Sequence, residues 1–294
     1  MKNILVLGGT RFFGRNLVEK LIDDGHNVTI LTRGHSGNPF GKQVKQLVAD
    51  RMSKKSLAAA LQGLTFDVVY DNICFSPTDA QNLCDVLNGH IGKLVFTSTM
   101  ATYELDGAVK QEDDFNPYTY PIQYGVATDF SYGEGKRLAE AVFFKEAKFP
   151  VVAVRFPIVL GEDDYTERLH FYVRKVLQEK PFTMQNLQAK MGFILAEEAA
   201  LFLAWAGEVD VEGPFNAVAT GEVKLEDLMG YIEGITGKKA KITIGTASEP
   251  TPYDVPDSWY MTNEKATLAG FEFTNLQDWL PILIEAIVQQ EQTK

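Results

Sequence analysis

Ile4-Leu5-Val6-Leu7 is a short apolar run with no turn former inside it, and Gly8-Gly9-Thr10-Arg11-Phe12-Phe13-Gly14 follows at once. Leu17, Val18, Leu21 and Ile22 then fall at helical spacing until Asp24-Gly25 ends the pattern. The order predicts a buried strand, a glycine turn and an amphipathic helix. Such a corner suits a dinucleotide pyrophosphate. Gly8 and Gly9 carry no side chain to block a ligand, and the helix start offers unpaired N–H groups and a positive dipole end. An ordinary βα turn is the alternative for these residues taken alone. The flanking strand and helix favour the nucleotide reading.

The same rhythm continues. Val28–Thr32, Val44–Val48, Phe66–Tyr70, Lys93–Thr97 and Val151–Arg155 read as strands. Helices are expected from Ser53 to Leu61, from Ser76 to Asn88 (with Pro77 at the first helical position) and from Phe130 to Lys148. Repeated β-α units with apolar strands predict an α/β fold, a Rossmann-type doubly wound parallel sheet. Residues 1–160 would form the dinucleotide-binding domain. Residues 161–294, less regular, would form a smaller substrate-binding lobe interwoven with it. Three short strands, Phe193–Leu195, Phe215–Ala217 and Lys241–Ile244, are expected there, with helices over Glu197–Trp205, Lys224–Ile235 and Leu276–Gln289. Glu104–Thr128, rich in Tyr, Pro and acids, has no periodicity and predicts a long binding loop or lid.

Net charge is −11, which disfavours nucleic acid as the main partner. The four histidines show no ligand spacing, so no metal is expected. Cys74 and Cys84 suggest no disulfide framework. No run reaches membrane-spanning length, and Met1-Lys2-Asn3 leads straight into a strand, so a cytoplasmic location is expected.

Tyr132-Gly133-Glu134-Gly135-Lys136 is a YxxxK segment. On a helix the two side chains share a face, where a cation favours phenolate and fits Tyr132 to move a proton. A surface Tyr beside a solvated Lys is the alternative. The order of glycine corner, five strands, Ser98-Thr99 and then YxxxK favours the catalytic reading.

With these motifs in that order, the sequence resembles the extended short-chain dehydrogenase/reductases, which include sugar-nucleotide epimerases and dehydratases. Leu7–Gly14 resembles TGxxGFIG, Phe96–Tyr103 resembles FSSSxxVY, and Tyr132–Glu140 resembles YGxSKxxxE. Arg155–Gly161 resembles RxxNVYG, while Gly213–Asn216 and Ala269-Gly270-Phe271 resemble two late signatures. The resemblance implies that Thr99 hydrogen-bonds the reacting oxygen, Tyr132 is the acid/base, and Lys136 holds the nicotinamide ribose. It implies that Asp50 contacts adenine and that Pro157 lies near the nicotinamide. It also implies a homodimer through the helices at Ser76–Asn88 and Phe130–Lys148.

Departures from the pattern sharpen the expectation. Arg11 stands at the usual middle glycine, and the second strand ends in Thr32-Arg33 without an acid. Arg11 and Arg33 favour NADP, with NAD the alternative. Met100-Ala101 after Thr99 disfavours a 4,6-dehydratase, and Ile158 weakens a UDP-sugar assignment. Tyr165 and Arg168 are the leading substrate contacts, with His170, Arg174 and Lys190 behind them. The GGTRFFG variant also resembles a branch that includes chloroplast stem-loop RNA-binding proteins. The expected function is therefore an NAD(P)-dependent epimerase or reductase acting on a carbinol or carbonyl. The alternative is a non-catalytic nucleotide-sensing or RNA-binding protein.

Overall fold

The computed structural model describes residues 1–35, 37–246 and 251–293. The elements run β1 (Asn3–Leu7), α1 (Phe12–Asp23), β2 (Asn27–Thr32), β3 (Lys45–Val48), α2 (Lys54–Leu61), β4 (Phe66–Asp71), α3 (Pro77–Leu87), β5 (Ile91–Thr99), α4 (Tyr132–Glu146) and β6 (Val151–Phe156). They continue with β7 (Ile158–Leu160), α5 (Arg168–Leu177), β8 (Phe182–Met184), β9 (Lys190–Met191), β10 (Phe193–Leu195), α6 (Ala196–Glu208) and β11 (Gly213–Asn216). β12 (Val223–Lys224), α7 (Leu225–Thr236), β13 (Ile242–Ile244), α8 (Glu264–Leu268) and α9 (Leu276–Thr293) complete the chain.

Seven strands form one parallel sheet in the order β11-β6-β5-β4-β1-β2-β3. The order reverses between β1 and β4. In doubly wound sheets ligands bind in the crevice beyond the strand ends at such a point. Apolar side chains of α1 and α6 cover one face of the sheet, among them Leu17, Val18, Phe202 and Leu203. Those of α2, α3 and α4 cover the other, with Leu57, Leu83, Cys84, Val142 and Phe143 buried against it. A second apolar core lies under α5, α7 and α9.

Helix bounds differ from the periodicity by local chemistry. α4 begins at Tyr132, because the Ser131 hydroxyl accepts the Glu134 N–H at 3.3 Å and caps the helix there. α5 was not anticipated. Its apolar residues Leu169, Tyr172, Val173 and Val176 are correctly spaced, but His170, Arg174 and Lys175 interrupt the pattern. β11 joins the main sheet beside β6, and α6 packs on α1, so residues beyond 161 complete both a sheet edge and a covering layer.

Residues 118–126 cross the outer side of α3 and α4. Tyr118 packs on Phe144 with ring centroids 4.8 Å apart. The Tyr120 hydroxyl donates to Glu134 at 2.9 Å, and Tyr124 donates to Gln81 Oε1 at 3.0 Å. Lys145 donates to the Tyr120 carbonyl. Ile122 packs against the apolar core beneath. The helix pair thus carries a tyrosine-rich strap from its own chain. Among the described residues no helix is long and apolar enough to cross a membrane.

Candidate active site

The glycine corner is shaped by close approach. Gly8 has φ +82°, open to glycine at little cost, and any Cβ there would meet Ile73. A Cβ on Gly9 would come 2.7 Å from Val18, and one on Gly14 would overlap the Gly8 carbonyl oxygen. The helix start is therefore pressed onto the end of β1. α1 has no side-chain cap hydrogen bond and no acid in its first turn, which leaves its N–H groups for an anion. Arg11 is extended, with φ −140° and ψ 150°, so its position needs no glycine. The non-glycine residue with positive φ in this corner is Phe12, at φ 50°.

Beyond this corner lies a cavity of about 470 Å³. Gly8, Thr10, Arg11, Phe12, Phe13 and Gly14 line one side. Arg33, His35 and Asp50 come from the ends of β2 and β3, and Asn72, Phe75 and Asp79 from the end of β4 and the start of α3. Arg11, Arg33 and His35 are exposed. Among the described residues neither arginine side chain has an ion-pair or hydrogen-bond partner, so both guanidinium groups are open to an anion. Asp50 caps its own turn, accepting the Met52 N–H at 3.0 Å, while still lining the cavity.

Arg51, Asp71 and Asn72 were not singled out from the sequence. Arg51 is buried, forms an ion pair with Asp71 and donates to the Asp79 carbonyl at 2.8 Å. Burial opposes its charge, but Asp71 wins and pushes the guanidinium pKa above its ordinary value. Asn72 donates to the Gly8 carbonyl at 3.4 Å and accepts the Thr97 hydroxyl at 2.7 Å. It thereby joins the ends of β1, β4 and β5. The available signal was positional, since Asp71-Asn72 ends a central strand facing the same crevice as Leu7.

The second group sits at the end of β5. Gly133 lets the first turn of α4 touch the turn after Thr99, because a Cβ there would overlap the Ala101 carbonyl oxygen. Thr99 is 9% exposed. Its oxygen accepts the Ala101 N–H at 3.2 Å, which leaves its own proton to donate. Tyr132 is 57% exposed at the head of α4. Lys136, one turn on, is 1% exposed and donates to the Thr97 carbonyl at 2.8 Å. Its Nζ lies 6.0 Å from the centre of the Tyr132 ring. Burial pushes the nearby Cys74 thiol up to about 12, so it stays protonated and offers no thiolate nucleophile at neutral pH.

These two groups are neighbours without sharing one cavity lining. Thr99, Tyr132, Lys136 and Pro157 are not among the residues lining the cavity, whereas Phe75 and Ala127 are. Pro157 is buried between β6 and β7. Tyr165, expected at the substrate, lines the cavity beyond the glycine corner, with its ring edge-on to Phe12 at 6.2 Å. Arg168 is half-buried in the first turn of α5 and has no ion-pair or hydrogen-bond partner among the described residues. His170 is buried, with Nε2 3.2 Å from the Glu162 carbonyl oxygen. Arg174 pairs with Glu167 and Glu291, and Lys190 with Glu222, so both are already engaged.

A seven-stranded parallel sheet with this corner at its switch point defines a Rossmann-type doubly wound α/β protein. Residues 4–74 match the NAD dependent epimerase/dehydratase family. The chain has the fold of the UDP-glucuronic acid 4-epimerase of Bacillus cereus, whose structure holds UDP-glucuronic acid and NAD. The TM-score is 0.76 at 19% identity, covering 98% of this chain and 99% of that one. The family match is confined to residues 4–74, and the structural likeness is one of fold. The chain is 38% identical over 85 residues to the chloroplast stem-loop binding protein of 41 kDa b of Arabidopsis thaliana, which is 24% of this chain and 22% of that protein. It is 22% identical over 183 residues to a decarboxylating sterol-4-alpha-carboxylate 3-dehydrogenase of Dictyostelium discoideum, 56% of this chain and 55% of the relative. The matches therefore span about half or less of these relatives' lengths.

Proposed function

We propose that the protein is an NAD(P)-dependent oxidoreductase of the epimerase/reductase type, acting on the carbinol or carbonyl of a sugar-nucleotide-like substrate. The observation that carries this reading is the group at the end of β5. Tyr132 is exposed on the first turn of α4, which is pressed through Gly133 onto the turn after Thr99. Thr99 keeps a proton to donate, and Lys136 is buried and anchored 6.0 Å from the Tyr132 ring centre. The corner fits a dinucleotide, with three close-packed glycines and a helix start that no side chain caps. A nicotinamide dinucleotide, when bound, supplies the hydride donor and acceptor. Tyr132 gives or takes the proton at the substrate oxygen. Thr99 donates a hydrogen bond to that oxygen and fixes its position. Lys136 places its ammonium one helical turn from Tyr132, 6.0 Å from the centre of the ring.

NADP is the proposed form. Arg11 and Arg33 reach the cavity mouth from two elements, with His35 beside them, a set suited to a 2′-phosphate. Residues 161–294 are proposed as the substrate lobe, with Arg168 meeting an anionic group of the substrate. A cytoplasmic homodimer belongs to the same reading, and two copies meeting over α3 and α4 would seat on the strap. Light scattering of the purified protein reads that state directly.

The Tyr132→Phe variant tests the mechanism. Turnover on a panel of UDP-sugars with NAD or NADP should fall by about 100-fold or more, while dinucleotide binding persists. Unchanged turnover would remove Tyr132 from the reaction.

A second reading, RNA or nucleotide sensing without catalysis, draws support from the 85-residue match to the stem-loop binding protein. The net charge of −11 and the retained Tyr132–Lys136 pair weigh against it. Filter binding to a structured RNA separates the two, since this reading requires tight binding that weakens steeply with salt.

A further inference from the structure

Phe75 occupies an unusual position. It follows β4, is 42% exposed and lines the nucleotide cavity. The centre of its ring lies 4.7 Å from the Lys136 ammonium, and the ring stands 6.4 Å from that of Tyr132. Lys136 is enclosed on its other sides. One N–H goes to the Thr97 carbonyl, and the Phe96 ring, fully buried, lies 4.8 Å away. Phe96 cannot move without opening the core, and the Thr97 carbonyl belongs to a central strand. The partly exposed Phe75 ring is the element of this enclosure that faces the cavity.

We propose that Phe75 seals Lys136 from the cavity, and that a ligand hydroxyl pair, such as a ribose diol, gains the ammonium by displacing this ring. The assignment of that diol to a dinucleotide rests on the proposed function. Phe75 is then a positioning residue that acts through Lys136. It holds the ammonium in place through ring contact and excludes water until the far end of the ligand arrives. The near end, an adenosine diphosphate in the glycine corner, has no need to move it. The affinity for the whole dinucleotide therefore carries a displacement cost that the affinity for ADP does not.

Two measurements on wild type, Phe75→Ala and Phe75→Leu test this, with thermal unfolding to show that each is folded. In the first, Lys136 is acylated with a small amine reagent without ligand and quantified by peptide mass spectrometry. Lys136 should be protected in wild type, labelled in Phe75→Ala and intermediate in Phe75→Leu; equal protection in all three overturns the seal. In the second, calorimetric titration compares NAD, NADP and ADP. Phe75→Ala should bind a dinucleotide about 3- to 10-fold more tightly than wild type with ADP unchanged. Weaker dinucleotide binding, or the same change for ADP, overturns the displacement. If labelling rises as expected but neither dinucleotide binds any variant, the seal stands and the dinucleotide assignment fails.

Discussion

Arg155 and Glu140 pair at 2.6 Å with neither side chain exposed to solvent. The guanidinium also donates to the Tyr103 hydroxyl at 2.8 Å and to the carbonyls of Glu112 at 2.9 Å and Phe115 at 3.1 Å. Glu140 accepts the Ser98 hydroxyl, next to Thr99. One ion pair thus ties β6, α4, the end of β5 and the long loop together, so it fixes the two elements that carry Thr99 and Tyr132. Removing one partner strands the other charge without water. Glu140→Leu or Arg155→Met alone should each destabilise the fold by about 3–5 kcal/mol, read from denaturant midpoints. The double replacement should cost less than the sum of the two, and simple additivity would refute the coupling.

Gly14 faces the Gly8 carbonyl oxygen so closely that no Cβ fits between them. The obstacle is backbone, which cannot rotate aside as a side chain can. Gly14→Ala should push α1 off β1 and lower stability by about 1–3 kcal/mol. ADP affinity should fall with it, because the helix start would no longer sit at the corner. Retained ADP affinity in a destabilised variant would separate the corner from nucleotide binding.

Arg33 is exposed at the cavity mouth and, among the described residues, has no ion-pair partner. Its replacement therefore leaves no buried charge behind. Arg33→Ser should weaken NADP binding by about 10-fold, a typical loss for a charge-assisted hydrogen bond, while NAD changes by less than about 2-fold. Equal losses for both would assign Arg33 to the shared pyrophosphate.

Glu198 on α6 gives a pH prediction. Burial raises its carboxyl above the ordinary value, against the N–H of Thr274, which it accepts at 2.5 Å. The folded chain therefore holds this proton more tightly than the unfolded chain. The resulting stabilisation is complete below the unfolded value of about 4.3 and is lost as pH rises through the folded value. Glu198→Gln has no such proton to lose. The melting temperature of the variant should gain on wild type as pH rises from about 4 toward neutrality. A constant difference over that range would show that Glu198 titrates normally.

The main sheet was legible because its strands are short apolar runs between turn formers, which determine strand and order locally. β11 was placed in sequence near Phe215 but not in the sheet, since nothing local tells Gly213–Asn216 to pair with β6. α5 was missed because His170 faces inward: a polar residue with a buried ring breaks a pattern that counts only apolar side chains.

The sequence by itself determined the glycine corner, the parallel α/β frame and the spacing that puts Tyr132 and Lys136 on one helical face. Those features depend on neighbours within a few residues. Tertiary structure alone decided that Arg51 finds Asp71, that Tyr165 turns to the cavity at the glycine corner, and that Phe75 both lines that cavity and meets Lys136. Each of these depends on where separate strand ends and helix starts converge, and backbone close approach at Gly14 and Gly133 sets that convergence to within the width of one methyl group.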